Sequence, residues 1–159
     1  MNNLGFPILS TLIFLPIAGA ALLLLINRSN ENLIKWFSLI VSTTVFIISI
    51  PLFTEFNKST HLMQFTEKHA WIPSLNINYH LGIDGISVLF VLLSTLITIL
   101  CVLISWNSIK AKTKEFYISI LIMEGAMIGV FCSLDFILFY LFWEAMLIPM
   151  YLLIGVWGG

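Results

Sequence analysis

Two glutamates are each the only charged residue of an apolar run: Glu124 in Phe116–Cys132 and Glu144 in Phe136–Val156. An ionised carboxylate at mid-bilayer costs roughly 2.5–3.5 kcal/mol on insertion scales. A carboxyl group in such a place is therefore expected to be neutral, paired or turned to water, and one that exchanges protons is a relay. Glu124 is the midpoint of its run and Glu144 stands two residues short of the midpoint of its own. Leu134, the middle of the short connection Ser133-Leu134-Asp135, lies ten residues from each. At 1.5 Å per residue both carboxyls are expected about 15 Å from that turn, at one depth on adjacent antiparallel helices. If they face each other, repulsion splits their titrations; their rotation is left open at this point. Pro149 removes the hydrogen bond to the carbonyl of Ala145, beside Glu144, and Tyr140 lies one turn before Glu144 on the same face. The competing reading is structural: a protonated glutamate making one interhelical hydrogen bond, worth about 0.6 kcal/mol on average.

The other candidates for chemistry offer less. Cys101 and Cys132 lie in or at the ends of apolar runs and form no CxxC or metal-ligand spacing, so they read as small packing residues. His61, His69 and His80 all fall in one loop, without a spacing that supports a metal site. There is no strand followed by G-x-G-x-x-G, no P-loop and no haem-attachment motif, so no redox cofactor is expected in this chain. The formal net charge of −1 and the absence of a basic stripe give no sign of a nucleic-acid partner.

Composition says what must position the glutamates. The chain is 60% apolar and 9% charged, with a mean hydropathy of +1.05. A soluble domain carries about a quarter charged residues, so the expected solvent is lipid. Five apolar stretches approach the roughly 20 helical residues that cross a hydrocarbon core: residues 4–26, 33–53, 86–106, 116–132 and 136–156. The fold class is all-α, a polytopic transmembrane helix bundle of five spans in a single membrane domain, residues 1–159. The fourth stretch is the shortest and is expected to stand upright or extend into its flanks. Met1-Asn2-Asn3 provides no basic n-region, so the first stretch is expected to stay in the mature protein.

Punctuation fits this division. Asp84 and Asp135 precede the third and fifth stretches and are expected to cap them, with Ser87 a faint capping-box echo. Pro16 is expected to kink the first helix. Gly125 and Gly129 form a GxxxG, expected to be a close-packing face. The one long connection, residues 54–85, allows a small β-hairpin: Leu62–Phe65 and Asn76–Leu81 alternate around Trp71-Ile72-Pro73-Ser74. Trp71 is expected at the membrane interface. Arg28, Lys35, Lys110, Lys112 and Lys114 fall on one side, and Lys58 and Lys68 on the other with Glu55, Glu67, Asp84 and Asp135. This bias predicts an outward N-terminus and an inward Gly158-Gly159.

From Trp71 to Gly159 the chain resembles a known family. The carrying residues are Tyr79-His80-Leu81-Gly82-Ile83-Asp84-Gly85-Ile86-Ser87, Ile128-Gly129-Val130-Phe131, Leu134-Asp135, and Phe142-Trp143-Glu144-Ala145-Met146-Leu147-Ile148-Pro149-Met150-Tyr151. They resemble subunit M of bacterial NADH–quinone oxidoreductase and its mitochondrial counterpart, NADH dehydrogenase subunit 4. The first two stretches match only in hydropathy and position. The resemblance implies an antiporter-like, proton-translocating subunit in the membrane arm of respiratory complex I, in the mitochondrial inner membrane or the bacterial cell membrane. It further implies that Glu144 is part of the proton path, paired with a lysine on a later helix. Glu124 matches a position that is acidic in many relatives. NAD(H), FMN, iron–sulfur clusters and quinone are then expected in other subunits, and the implied partners are the other membrane subunits, the lipid bilayer and the remainder of the same subunit.

The family has many more helices than five, so the chain is expected to be an N-terminal portion that cannot pump alone. Two alternatives stay open: a subunit of a multisubunit Na⁺/H⁺ antiporter, which shares the fold and the fifth-helix glutamate, and a structural or assembly protein without a transport role.

Overall fold

The computed structural model describes residues 6–158. Five helices follow the five apolar stretches: α1 (Ile8–Leu23), α2 (Glu31–Thr54), α3 (Gly85–Ile104), α4 (Thr113–Cys132) and α5 (Phe136–Trp157). Between α2 and α3 stands an antiparallel hairpin, β1 (Gln64–Ile72) and β2 (Ile77–Ile83), joined by a 3₁₀ turn over Pro73–Leu75. Among the described residues, α2 to α5 are long and apolar enough to cross a membrane, whereas α1, at 16 residues, is a shorter apolar helix. The start of the first stretch, Leu4 and Gly5, lies outside the described residues, as does Gly159. At its other end the regular helix stops at Leu23, and the amides of Leu24, Leu25 and Ile26 bond three residues back in tightened turns. The fourth helix does extend into its flank, starting at Thr113.

The aspartates start their helices as their positions suggest. Asp84 accepts from the amides of Ile86 and Ser87 at 3.1 and 2.8 Å. Asp135 accepts from Ile137 and Leu138 at 2.9 and 3.2 Å. Its second oxygen accepts from the Asn78 amide at 2.9 Å, which ties the start of α5 to β2. The α4–α5 turn also docks on the hairpin, with the Leu134 amide donating to the His80 carbonyl at 2.8 Å and Ser133 bridging Leu81.

The hairpin is longer than the alternation indicates, and Trp71 belongs to β1, with 47% of its surface exposed. Two register shifts interrupt the pairing, between Gln64 and Glu67 and between Ala70 and Ile72. Left-handed backbone at Phe65 (φ 55°) falls in the first, and at Asn76 (φ 55°) it closes the 3₁₀ turn. Asparagine tolerates that region and favours such a turn.

Helix α1 has no capping side chain of its own; Pro7 holds its N-cap position. The hairpin supplies the missing acceptor. Glu67 accepts from the amides of Leu9 (2.9 Å) and Ser10 (3.2 Å) and from the Ser10 hydroxyl, which also bonds the Tyr79 hydroxyl at 2.6 Å. The opposite end is held by α4: Lys114 Nζ donates to the Leu24 and Ile26 carbonyls, both at 2.8 Å. An anion at the N-terminus and a cation at the C-terminus both match the helix dipole. Close by, Arg28 pairs with Glu115.

Helix α4 lies hard against its neighbours through the two glycines. A Cβ on Gly125 would stand 2.5 Å from the Ile13 carbonyl oxygen of α1, and one on Gly129 would stand 2.5 Å from the Phe142 ring of α5. The GxxxG thus serves two different helices rather than one.

The buried apolar residues fall into two clusters toward opposite ends of the bundle. One gathers Ile8, Leu9, Leu12 and Ile13 with Val45, Leu52, Val88, Val91, Ile128 and Cys132. The other gathers Ala20 and Leu23 with Ile34, Val102, Phe116, Tyr117 and Leu121. On three of the helices buried polar residues lie between the two: Ser38 and Ser42 of α2, Ser94, Thr95 and Thr98 of α3, and Glu124 of α4. Val41 packs against both clusters and joins them.

Two stability outcomes follow from these contacts. Gly125→Val is expected to lower stability by about 1–3 kcal/mol or more, because the clash is with backbone. Gly155→Ala, whose Cβ would meet nothing within 4 Å, is the control and is expected to hold or gain stability; thermal unfolding in one detergent compares them. Glu67→Ala removes the external cap of α1 and is expected to cost about 1–2 kcal/mol. Amide exchange should then speed up at Leu9 and Ser10 before it does in α4, and unchanged protection there would contradict the capping role.

Candidate functional site

The two intramembrane glutamates occupy opposite environments. Glu124 is 1% exposed, inside the bundle. Neither of its oxygens has a hydrogen-bond partner. Glu144, in contrast, is exposed on α5. The two are not hydrogen-bonded to each other, so the structure does not unite them in one pocket.

One face of α5 is open. Only Leu138 and Pro149 are buried in it, and Phe136, Tyr140, Glu144 and Ile148 form an exposed stripe at four-residue spacing. Tyr140 and Glu144 therefore share a face, as their spacing indicates. Pro149 lies inside the helix without ending it; α5 continues to Trp157, whose indole N–H donates to the Ala111 carbonyl at 2.8 Å.

Along their helices both glutamates fall between residues of the two apolar clusters. Glu124 comes after Leu121 and before Ile128; Glu144 comes after Leu138 and before Leu153 and Trp157, which pack against the second cluster. What separates them is rotation: one helix turns its carboxyl inward and the other outward.

The remaining candidates take structural positions. Cys132 is buried and Cys101 half-buried, both as free thiols. His69 stacks loosely on Tyr79, with ring centroids 6.2 Å apart, and His80 pairs across the hairpin with Lys68. Burial first, then the Lys68 charge, lowers the His80 pKa, while Asp135 opposes them. Burial raises the Tyr79 pKa against the opposing effect of its hydrogen bond with Ser10. Glu67 accepts three hydrogen bonds from the start of α1, and no local motif marks it. The available signal was indirect: an uncapped α1 requires an acceptor from elsewhere.

No family model matches the chain. Curated proteins do. NADH-ubiquinone oxidoreductase chain 4 of Arabidopsis thaliana is 46% identical over 151 residues, 95% of this chain and 30% of that protein. NADH-quinone oxidoreductase subunit M of Rhodobacter capsulatus is 43% identical over 163 aligned residues, covering 100% of this chain and 30% of the relative. Over nearly its whole length the chain is similar to chain 4 and subunit M. It spans about 30% of the length of these relatives. Among solved structures, a chain of respiratory complex I from Thermus thermophilus with bound NADH matches at a TM-score of 0.74 and 26% identity, over 94% of this chain and 29% of that one. A chain of the membrane-bound sulfane sulfur reductase, an archaeal respiratory membrane complex, shares the fold at a TM-score of 0.73 and 20% identity. With these relatives and its long apolar helices, the chain is a multi-pass membrane protein.

Asp135 provides a pH test of how the site's scaffold is held. The Asn78 amide first, with those of Leu138 and Ile137, holds its carboxyl below the ordinary value of 3.8. A folded-state pKa below the unfolded one contributes stability above the unfolded value and loses it as pH falls through the folded value. Wild type is therefore expected to lose thermal stability below about pH 4 more steeply than Asp135→Asn. Parallel acid profiles for the two would show that Asp135 does not tie α5 to the hairpin.

Proposed function

We propose that the chain is the N-terminal portion of an antiporter-like subunit in the membrane arm of a proton-translocating NADH:quinone oxidoreductase. Its place is the mitochondrial inner membrane or the bacterial cell membrane, with the N-terminus facing outward. Nicotinamide, flavin, iron–sulfur and quinone chemistry belongs to other subunits; this chain contributes intramembrane acids. Glu144 and Glu124 exchange protons, and the energy of electron transfer elsewhere biases their protonation.

The observation that carries this reading is the open, Glu144-bearing face of α5. An ionisable group on an apolar face costs free energy in lipid unless it meets a polar partner or water. The relatives are about three times as long as this chain, so further helices of the same subunit are the natural cover for α5. Glu144 then lies at a helix–helix boundary, where a carboxyl can be paired, released and re-protonated. Glu124, enclosed within the bundle on the neighbouring helix, is a second carrier.

The test uses the assembled complex. Glu144→Gln is expected to keep the complex assembled and oxidising NADH while lowering the number of protons moved per electron pair. Glu144→Asp should restore part of that ratio, because it restores the acid at a shorter reach. A Gln variant that pumps at the wild-type ratio would exclude Glu144 from the path. Loss of assembly in Glu144→Leu alone, with pumping intact in the Gln variant, would favour a structural role.

A further inference from the structure

A groove runs between α2 and α3 toward the hairpin end of the bundle. Phe46, Ile50 and Phe53 of α2 line one cavity of about 410 Å³ with Leu89, Leu93 and Leu96 of α3. All of these except Phe46 are exposed, so the groove opens outward. Phe53 and Leu89 also line a second cavity of about 240 Å³, nearer the hairpin, with Phe56, Lys58 and Gly85. The two cavities are thus one slot. A Cβ on Gly85 would meet nothing within 4 Å, which leaves its mouth open. Helix α5 packs on α4 and β2, whereas α2 and α3 pack on each other and on α4. Further helices covering α5 therefore approach from another side.

Lys58 is the one charged residue that lines either cavity. Its Nζ lies 5.7 Å from the centre of the Phe53 ring, an ammonium at the rim of an apolar slot. A lysine so placed runs its stem along apolar surface and holds its charge at headgroup level. The nearest acids in the chain do not neutralise it. Asp84 accepts from the amides of Ile86 and Ser87, and Glu55 lines a separate cavity with Asn57 and Gln64. At the other end of the same helix pair, Trp36 and Trp106 meet edge to face with ring centroids 5.1 Å apart, and Trp36 is exposed. Indoles at helix ends mark a membrane–water interface. Trp36 precedes Phe53 by seventeen residues, about 25 Å along α2, against a hydrocarbon core of roughly 30 Å. Lys58 therefore stands at the opposite interface.

The slot also has the depth of one leaflet. Gly85 to Leu96 is eleven residues, about 16 Å of helix, and half of the core is about 15 Å. An apolar slot of that depth with a cation at its mouth fits one lipid: acyl chain below, phosphate above. We propose that the α2–α3 groove is a binding site for an anionic phospholipid. Its phosphate meets Lys58, and one acyl chain runs from Phe53 and Leu89 past Leu93 to Phe46 and Leu96. A zwitterionic headgroup brings its own cation to the phosphate, so a single lysine discriminates in favour of a headgroup with net negative charge. The site requires only that α2 and α3 cross the bilayer; it does not depend on the roles of Glu144 and Glu124.

Photolabelling of the assembled complex in phosphatidylcholine nanodiscs tests it. Two trace probes carry the same diazirine-bearing acyl chain and differ only in headgroup, phosphatidylglycerol or phosphatidylcholine. The phosphatidylglycerol probe should label α2 and α3 about fivefold more than its zwitterionic counterpart. Lys58→Gln should remove that excess, and Lys58→Arg should keep it. A diazirine near the glycerol should mark peptides containing Phe53 and Leu89; one at the chain end should mark those containing Phe46 and Leu96. Leu93→Trp, which fills the slot, should lower labelling by both probes. Equal labelling by the two headgroups overturns the proposal, as does an excess that survives Lys58→Gln. So does a face without lipid label, whether another protein or a second copy of this chain covers it.

Discussion

Helix α1 is held at both ends by groups that are not its own, and the arrangement of the bundle depends on this. Its 16 residues carry no charge, and its N-cap position is a proline. A helix end in a low-dielectric setting leaves several N–H or C=O groups without partners, each costly if unmet. Glu67 from the hairpin meets the first end and Lys114 from α4 meets the second. The two contacts fix the height of α1 relative to the hairpin at one end and to α4 at the other. With that height set, Gly125 comes opposite the Ile13 carbonyl, where a backbone-to-backbone approach is possible only without a side chain. One anion and one cation thus set the register in which apolar surfaces then pack.

The same logic extends through the hairpin. Asp135 caps α5 with one oxygen and accepts from Asn78 with the other, so a local helix start is also a tertiary tie. The hairpin is bonded to α1 through Glu67, to the α4–α5 turn through His80, and to α5 through Asp135. Its two strands organise one end of the bundle and bury Phe65, Leu81 and Ile83 in the core there. At the opposite end the ties are Lys114 to the end of α1, Arg28 to Glu115 and Trp157 to Ala111. The exposed Arg28 pair contributes little by itself, about 0–1 kcal/mol for such pairs; the Lys114 contacts satisfy carbonyls that would otherwise lack partners.

Local features were legible from sequence and rotations were not. Asp84 and Asp135 read correctly as caps because a cap and its helix are adjacent in the chain. The hairpin read correctly in place, although the bulges at Phe65 and beside Trp71 obscured its length by breaking the alternation. Glu67 and Lys114 were passed over as sites because their partners lie 58 and 90 residues away in the chain, and nothing near either residue announces a cap. The rotation of α4 and α5 was unreadable for a different reason. Both are apolar nearly all round, so neither has the polar stripe that would mark a face. Depth, which depends only on rise per residue, could be estimated; direction could not.

That missing direction matters for how the two carboxyls are related. Equal depth on adjacent antiparallel helices suggested a pair, yet Glu124 is enclosed and Glu144 is open. The α4–α5 contact shows how this comes about. The Phe142 ring is seated over Gly129, close enough that even a methyl group there would displace it. Phe142 precedes Glu144 by two residues, about 200° of helical rotation, so a ring turned in toward α4 sends the carboxyl away from it. Glycine at 129 and phenylalanine at 142 therefore act together as a rotational key for α5. The arrangement keeps two like acids apart while leaving them on neighbouring helices, each with its own surroundings. One is closed in by the bundle, and the other stands on an uncovered face.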